Sequence, residues 1–351
     1  MKQAEIKYHV SKYPSANLLP AEWDQLAESG FQKKRFLEHG DTYNPCKQRY
    51  YLAYSGTAAV AAALVYTLPV NLLSFAAIRS PLRMQVIGLP ASVSAPGIFG
   101  DCKAVEFLIG YLLQAEKGLL LGLNLPPAIE TGKAVKMQML PAIEIVRHFD
   151  DWEQYLDQLR SSYRRRCLHI LDKWENIRSG QTPCSAFTEN HYRLYLAVIN
   201  RSTTKLETLQ QAYFHQLPPE FYLTTYYRED EIICWHINCR DEAMNRMYFF
   251  FGGHDYRFIH RYDSYFNNLL GILRESIGQG FGKVDLGQTA EIPKLKLGGT
   301  LVPKVLFVYH RNPLWLFFLR AFKKWLGYQR RLPETHVFRT DFQPELKKIT
   351  V

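Results

Sequence analysis

The residues whose types and spacing could do chemistry gather in the last third of the chain. In KVDLGQTAEIPKLKLGG (Lys283 to Gly299) a short apolar run stops on Asp285-Leu286-Gly287, and Lys294 and Lys296 follow just before a double glycine. An acid at a strand end and a cationic segment behind it do nothing for a core. Both suit the rim of a sheet where an anionic ligand lies. Upstream, GGHDYRFIHRYDSY (252–265) leaves an apolar run and feeds a helical pattern. A loop entering a helix N-terminus presents unpaired amides to anions. Gly252 and Gly253 allow close backbone approach, and His254, Arg257, His260 and Arg261 add positive or switchable charge. The plainer alternative is an ordinary loop with Asp263 or Ser264 as N-cap. Metal chemistry is not expected: the six cysteines form no C-x-x-C pair and have no histidine at finger spacing.

The elements that must position these residues follow from periodicity. A chain of 351 residues favours two domains, and the character of the sequence changes near residue 150. The first half reads as a strand (AEIKYHV), a short helix (PAEWDQLAES) and strands at RYYLAYSG, AAVAAALVYTL, NLLSFAAI and RMQVIGL. A helix then runs from an Asp101 N-cap to Gly118, and strands LLLGLNLP and KMQMLPAIEIV follow. From Asp150 a long helical pattern carries Trp152, Leu156, Leu159, Tyr163, Leu168 and Leu171 at three- and four-residue steps. Two helical segments follow, near His191–Ile199 and Leu206–His215. Then come a hairpin turning at Arg228–Asp230, a strand RMYFFFGGHD, a helix YDSYFNNLLGILRESIGQGF, a strand KVDLG, a short helix or turn, and a last strand KVLFVYHR. Both halves thus read strand–strand–strand–helix–strand–strand, without a residue-level repeat. The uncharged stretch between Arg49 and Arg79 is long enough to span a bilayer, but Pro69 and Asn71 break it, so buried strands are expected there.

Several of these elements, in this order, resemble the Gcn5-related (GNAT) acyltransferase superfamily, in its branch with two such folds in tandem, which includes the Fem-type peptidoglycan-bridge aminoacyltransferases. The resemblance rests on Tyr262, Asp263 and Tyr265, then Glu275 and Gly280 on a helix, Asp285-Leu286-Gly287 at a strand end, and Lys294, Leu297 and Gly298 after it. Leu297 stands where an aromatic residue is commoner, and no Gln/Arg-x-x-Gly-x-Gly phosphate motif is present. The resemblance implies an α/β (α+β) protein of two GNAT-like folds, each a mostly antiparallel sheet flanked by helices. They would cover 1–149 and 150–311, the second catalytic, with a basic helix and tail over 312–351. It further implies that the strand ending at Asp285 splays from YFFFGG, that the acyl donor lies in the wedge, and that Lys294 meets an anionic donor or acceptor at the rim. Attack by a neutral amine then needs an oxyanion donor and a proton acceptor, with Asp263, Asp285, Glu291 and His254 as candidate bases. Tyr262, Ser264, Tyr265 and Lys296 join the candidate binding residues.

Two basic features stand beside this site. Arg164-Arg165-Arg166 share a helical pattern with Arg160, His169 and Lys173, either as a grip for phosphate or tRNA or as a solvated face. NPLWLFFLRAFKKWLGYQRR (312–331) sets Arg320, Lys323, Lys324 and Gly327 against Leu314, Phe318, Phe322, Trp325 and Leu326. It could lie on an anionic bilayer or dock on its own domain. The net charge of +10 is uneven, with ten Lys/Arg against three Asp/Glu in residues 301–351. The expectation is a cytoplasmic N-acyltransferase, peripheral at the inner membrane face, using acyl-CoA on an amine of a cell-envelope precursor or secondary metabolite. No tightly bound cofactor and no DNA partner are expected. The alternatives are an enzyme using aminoacyl-tRNA and a non-catalytic, membrane-associated binding protein.

Overall fold

The computed structural model describes residues 7–71, 81–91, 93–201 and 208–339. The strand expected over 72–78 and the last basic residues of the tail lie outside them. The chain divides into two compact units, one of Met1–Pro141, Leu206–Tyr213 and Pro303–Arg330, the other of Ala142–Lys205, Phe214–Val302 and Arg331–Val351. The expected boundaries near 150 and 311 therefore shift. The strand expected to close the second fold counts with the first, because it pairs there.

In the first unit, β1 (Tyr8–Tyr13), β2 (Gln48–Ser55), β3 (Ala58–Asn71) and β4 (Pro81–Ile87) are antiparallel neighbours, and the short β5 (Ile98–Gly100) pairs with β3. Helices α1 (Glu22–Leu26) and α2 (Lys34–Tyr43) lie between β1 and β2 in sequence, and α3 (Cys102–Ala115) follows β5. Then come β6 (Leu119–Leu125), parallel to β4, and β7 (Val135–Val146), whose last residues enter the second unit. The Asp101 side chain accepts from the amides of Lys103 and Ala104 and opens α3 as its sequence foretold. Ala104, Val105, Leu108 and Leu112 of α3 pack on Ala61, Ala63, Val65 and Ile87. The long uncharged stretch is thus strand where it is described, its alanines giving a flat bed for the helix. No helix among the described residues is long and apolar enough to cross a membrane.

The second unit begins with α4 (Trp152–Gln158) and α5 (Ser161–Asp172). One unbroken helix was expected here. Instead Leu159 bridges to Phe338, Arg160 N donates to Val337 O (2.9 Å) and Arg339 N to Gln158 O (3.0 Å), so a distant segment claims the backbone at the break. There follow β8 (Arg178–Pro183), not expected from the sequence, α6 (Glu189–Arg201), α7 (Gln211–His215), the hairpin β9 (Phe221–Arg228) and β10 (Glu231–Asp241), and β11 (Arg246–His254). The unit continues with α8 (Ser264–Gly278), β12 (Lys283–Asp285) and α9 (Glu291–Leu295). Its core sets Leu269, Leu270, Ile272, Leu273 and Ile277 of α8 against Met247, Val284 and Leu286 of the strands and Trp152, Tyr155 and Ile170 of α4 and α5. The last strand, β13 (Thr300–His310), runs antiparallel to β6, with Val305 opposite Leu125 and His310 opposite Leu119. Helices α10 (Pro313–Ala321) and α11 (Lys323–Leu326) come after it.

Three histidines are held neutral by burial, which lowers each to about 4: His39, His191 and His254. His39 Nε2 bonds Tyr213 O (2.9 Å); His191 accepts from Thr188 N (3.0 Å) and reaches Thr225 Oγ1 (2.9 Å). Between pH ~6.5 and ~4 the unfolded chain therefore binds more protons than the folded one. Urea melts should show stability falling steeply as pH drops through this window, by up to about 3 kcal/mol for each histidine. A flat profile would mean these imidazoles are not buried neutral.

Candidate functional site

β11 and β12 are parallel neighbours for three residues only: Arg246 beside Lys283, Met247 beside Val284, Tyr248 beside Asp285. β12 lies between β11 and β7 and pairs antiparallel with β7 over the same three residues. β11 runs on to His254, whereas the chain after Asp285 stays with β7, Leu286 N donating to Ile143 O (2.8 Å) and Ile143 N to Gly287 O (3.1 Å). Two local features produce the divergence. In β11 the register against β10 slips, Ile237 facing Phe251 but Asn238 facing Phe249, so Phe250 is the extra residue of a bulge. A bulge bends its strand and increases its twist. Gly287 adopts a left-handed φ of 72°, which lets the other strand turn away. From Phe249 onward, β11 has no strand neighbour on the β12 side among the described residues.

Ionisable side chains connect the two diverging ends. His254 closes β11, and its ring lies 5.6 Å from that of Tyr265 on α8. Tyr265 is raised by burial and by the charge of Glu291. Glu291 and Asp285 in turn act on Lys294, and all three are only 2 % exposed. Burial draws the Lys294 ammonium down to about 8, against the pull of both carboxylates. Its Nζ donates to Gln288 O (2.7 Å), and Asp285 accepts from Gly287 N (2.7 Å). The i,i+3 spacing of Glu291 and Lys294 on α9 puts them on one face. Entry to α9 is strained: Thr289 and Ala290 both have left-handed φ, 62° and 45°, which costs about 1–3 kcal/mol each and is the kind of strain that gathers at functional sites. His254 Nδ1 is buried without a hydrogen-bond partner. The His254 value of about 4 reflects burial first and the neighbouring His236 second.

A cleft of about 840 Å³ opens at this histidine, lined by Arg193, Leu194, Arg201, Asp255, Tyr256 and Arg257 among others. Arg201 lies 3.6 Å from the Tyr256 ring centroid, and Arg257 bonds Asp255 (3.0 Å) and Glu231. A second cleft, about 380 Å³, is lined by Ser161, Arg164, Arg165, His169 and Arg339, with Arg164 paired to Asp157 at 2.9 Å.

The structure thus gathers His254, Tyr265, Asp285, Glu291 and Lys294, and disperses the rest. Lys294 was expected at the rim, meeting an anionic donor or acceptor; the turn through Thr289 and Ala290 leads into α9, where its side chain is buried. Asp263 is ion-paired with Lys173 (2.5 Å) on the far end of α5, itself in a left-handed conformation, and Ser264 is fully buried. The α8 N-terminus is therefore closed to an anion. Arg261 lies over the Tyr262 ring (5.4 Å), His260 is exposed and Lys296 is half-buried. Glu275 is taken up between sheet and helix: burial pushes it up, but His236 and Arg240 outweigh this and hold it at about 2. Arg193 and Arg201 were not foreseen; their four-residue steps through Ala197 on α6, which put all three on one face, were the available signal.

Gly252 and Gly253 serve packing. A Cβ on Gly253 would stand 2.3 Å from Trp235 Nε1, which donates to His191 O (2.9 Å). Gly253→Ala should destabilise the protein by about 1–3 kcal/mol through overpacking. The readout is the denaturation midpoint, and an unchanged midpoint would leave Gly253 available for a ligand role.

No protein-family model and no curated protein matches this chain. Solved structures do. FemX superposes with a TM-score of 0.57 at 11 % identity, covering 88 % of this chain and all of its own. L-PGS from Bacillus licheniformis gives 0.52 at 11 % over 87 % of this chain and 94 % of its own. A tandem GNAT protein from the clavulanic acid biosynthesis pathway gives 0.51 at 10 % over 88 % and 99 %. At such identities the likeness is one of fold: the chain shares the fold of these proteins, a tandem GNAT protein among them, as the order of its motifs implied.

Proposed function

We propose that the second unit transfers an acyl or aminoacyl group from an activated ester or thioester to an amine. The observation that carries this reading is the divergence of β11 from β12, with an open strand edge on one side and buried acid–base groups across its mouth. An open edge offers N–H and C=O groups to an extended chain bearing amides, such as the pantetheine arm of an acyl-CoA, and its amides can polarise the donor carbonyl. The amine nitrogen forms a bond to that carbonyl carbon and becomes positively charged. Its proton passes to His254, which is neutral and has a buried ring nitrogen without a partner. The C–S or C–O bond then breaks, and the proton leaves with the thiol or alcohol. The Lys294 cluster keeps a fixed field beside these steps and needs no reorganisation. Arg193, Arg201 and Arg257 favour an acceptor that also carries a carboxylate or phosphate, as cell-envelope precursors and many secondary metabolites do.

A second reading of the donor, aminoacyl-tRNA, has its own observation: the cleft of Arg164, Arg165, His169 and Arg339. The donors are separated by a thermal-shift screen against CoA, acetyl-CoA and longer acyl-CoAs, followed by tRNA. A bound ligand at ~100 times its Kd adds about 2.7 kcal/mol and raises the melting point visibly. A response to an acyl-CoA names the donor class. A response only to charged tRNA, lost steeply with salt, transfers the reading to the second donor. Silence from both removes the proposal. With a donor in hand, His254→Ala should lower kcat about 10²–10⁴-fold with little change in KM; an unchanged kcat would remove His254 as the proton acceptor.

A further inference from the structure

The α10–α11 pair is docked on the first unit with its most apolar side outward. Leu316 and Leu319 pack on the cluster of Val135, Met137 and Val308. Tyr328 N donates to Gln138 O (2.9 Å), which ties down the segment that follows. Pro313 begins the helix and Asn312 caps it, accepting from Leu314 N (2.9 Å), so this geometry is built by local sequence. On a helix held by Leu316 and Leu319, the opposite arc carries Leu314, Phe317 and Phe318, with Trp315 and the C-cap Phe322 on its flank. All are more than half exposed, and Trp325 of α11 is 85 % exposed. Seven of the twelve exposed large hydrophobic residues among those described fall between Leu314 and Leu326. That is a contiguous patch, not the scatter ordinary for a protein surface.

Charge decides what covers it. From Arg311 to Arg331 there are six Lys/Arg and no Asp or Glu, and Arg320, Lys323 and Lys324 are interleaved with the exposed aromatics. Two copies meeting through this surface about a two-fold axis would bring the same cations together. Lipid headgroups of opposite sign meet them favourably, while long basic side chains reach up to the phosphates and aromatic rings settle at the acyl boundary. A nine-residue α10 is too short to span a bilayer, so it lies in the interface plane.

We infer that α10–α11 is an interfacial anchor that inserts Trp315, Phe318, Phe322 and Trp325 into the surface of an anionic membrane. The inference concerns the first unit and does not depend on the reaction assigned to the second.

Flotation of the full chain with phosphatidylcholine vesicles, with and without phosphatidylglycerol, tests it. The protein should float with the mixed vesicles, bind pure phosphatidylcholine more weakly, and lose binding as salt is raised. The double variant Phe318→Ser/Phe322→Ser should bind at least about tenfold more weakly with little change in melting temperature, since both side chains are more than half exposed. Wild-type protein that stays at the bottom of the gradient with mixed vesicles, or a variant that floats as well as wild type, overturns the inference. So does a concentration-dependent dimer that the same variant abolishes in the absence of vesicle binding, which would assign the surface to a second copy.

Discussion

The site depends on a strand pairing that stops early: β12 lies between β7 and β11, and past Asp285 its chain keeps β7 and parts from β11. Buried amides and carbonyls must be paired. Leu286 and Gly287 continue the pairing with β7 at Ile143, while the pairing with β11 ends at Tyr248 beside Asp285. The extra residue at Phe250 and the left-handed Gly287 make that parting geometrically cheap. The two strands thus part beyond Tyr248 and Asp285, and β11 is left without a strand neighbour on that side among the described residues.

The polar groups around that edge persist because each is tied to others. Burying Lys294 or Asp285 alone would cost several kcal/mol per ion. Together with Glu291 they share the desolvation, and Arg246, itself paired with Glu144 at 3.0 Å, adds its field to Asp285. A second set, Glu275 with Arg240 (2.8 Å) and Asn238 (3.1 Å), fastens α8 to β10. The first set lies where β11 and β12 part, while the second belongs to the frame. Their electrostatics resemble one another, so position relative to the open edge separates a site from a strut.

The course of the chain explains why its compact units are not contiguous in sequence. After α9 the chain contributes β13, α10 and α11 to the first unit, then from Arg331 counts with the second, where Val337–Arg339 meet the break between α4 and α5. The C-terminal segment thus has two structural duties in succession. Local patterning carries no mark of this, because each duty is set by partners more than a hundred residues away.

The sequence by itself determined most of the elements and their order, β8 excepted. The Asp101 cap, the hairpin turning at Arg228–Asp230, the helix after Asp263, the strand ending at Asp285 and the Pro313 helix start all rest on contacts between near neighbours, which composition and spacing encode. The motif order over 262–298 also carried the fold. Only the tertiary structure decided pairing and facing. It split one helical pattern into α4 and α5, gave β13 to β6, turned Lys294 from rim to interior and closed the α8 N-terminus with Lys173 on Asp263. Periodicity tells which residues share a face, and says nothing of which face turns inward. On α10 that choice fell to Leu316 and Leu319, because they alone meet Val135, Met137 and Val308, and so the aromatic stripe was left facing water.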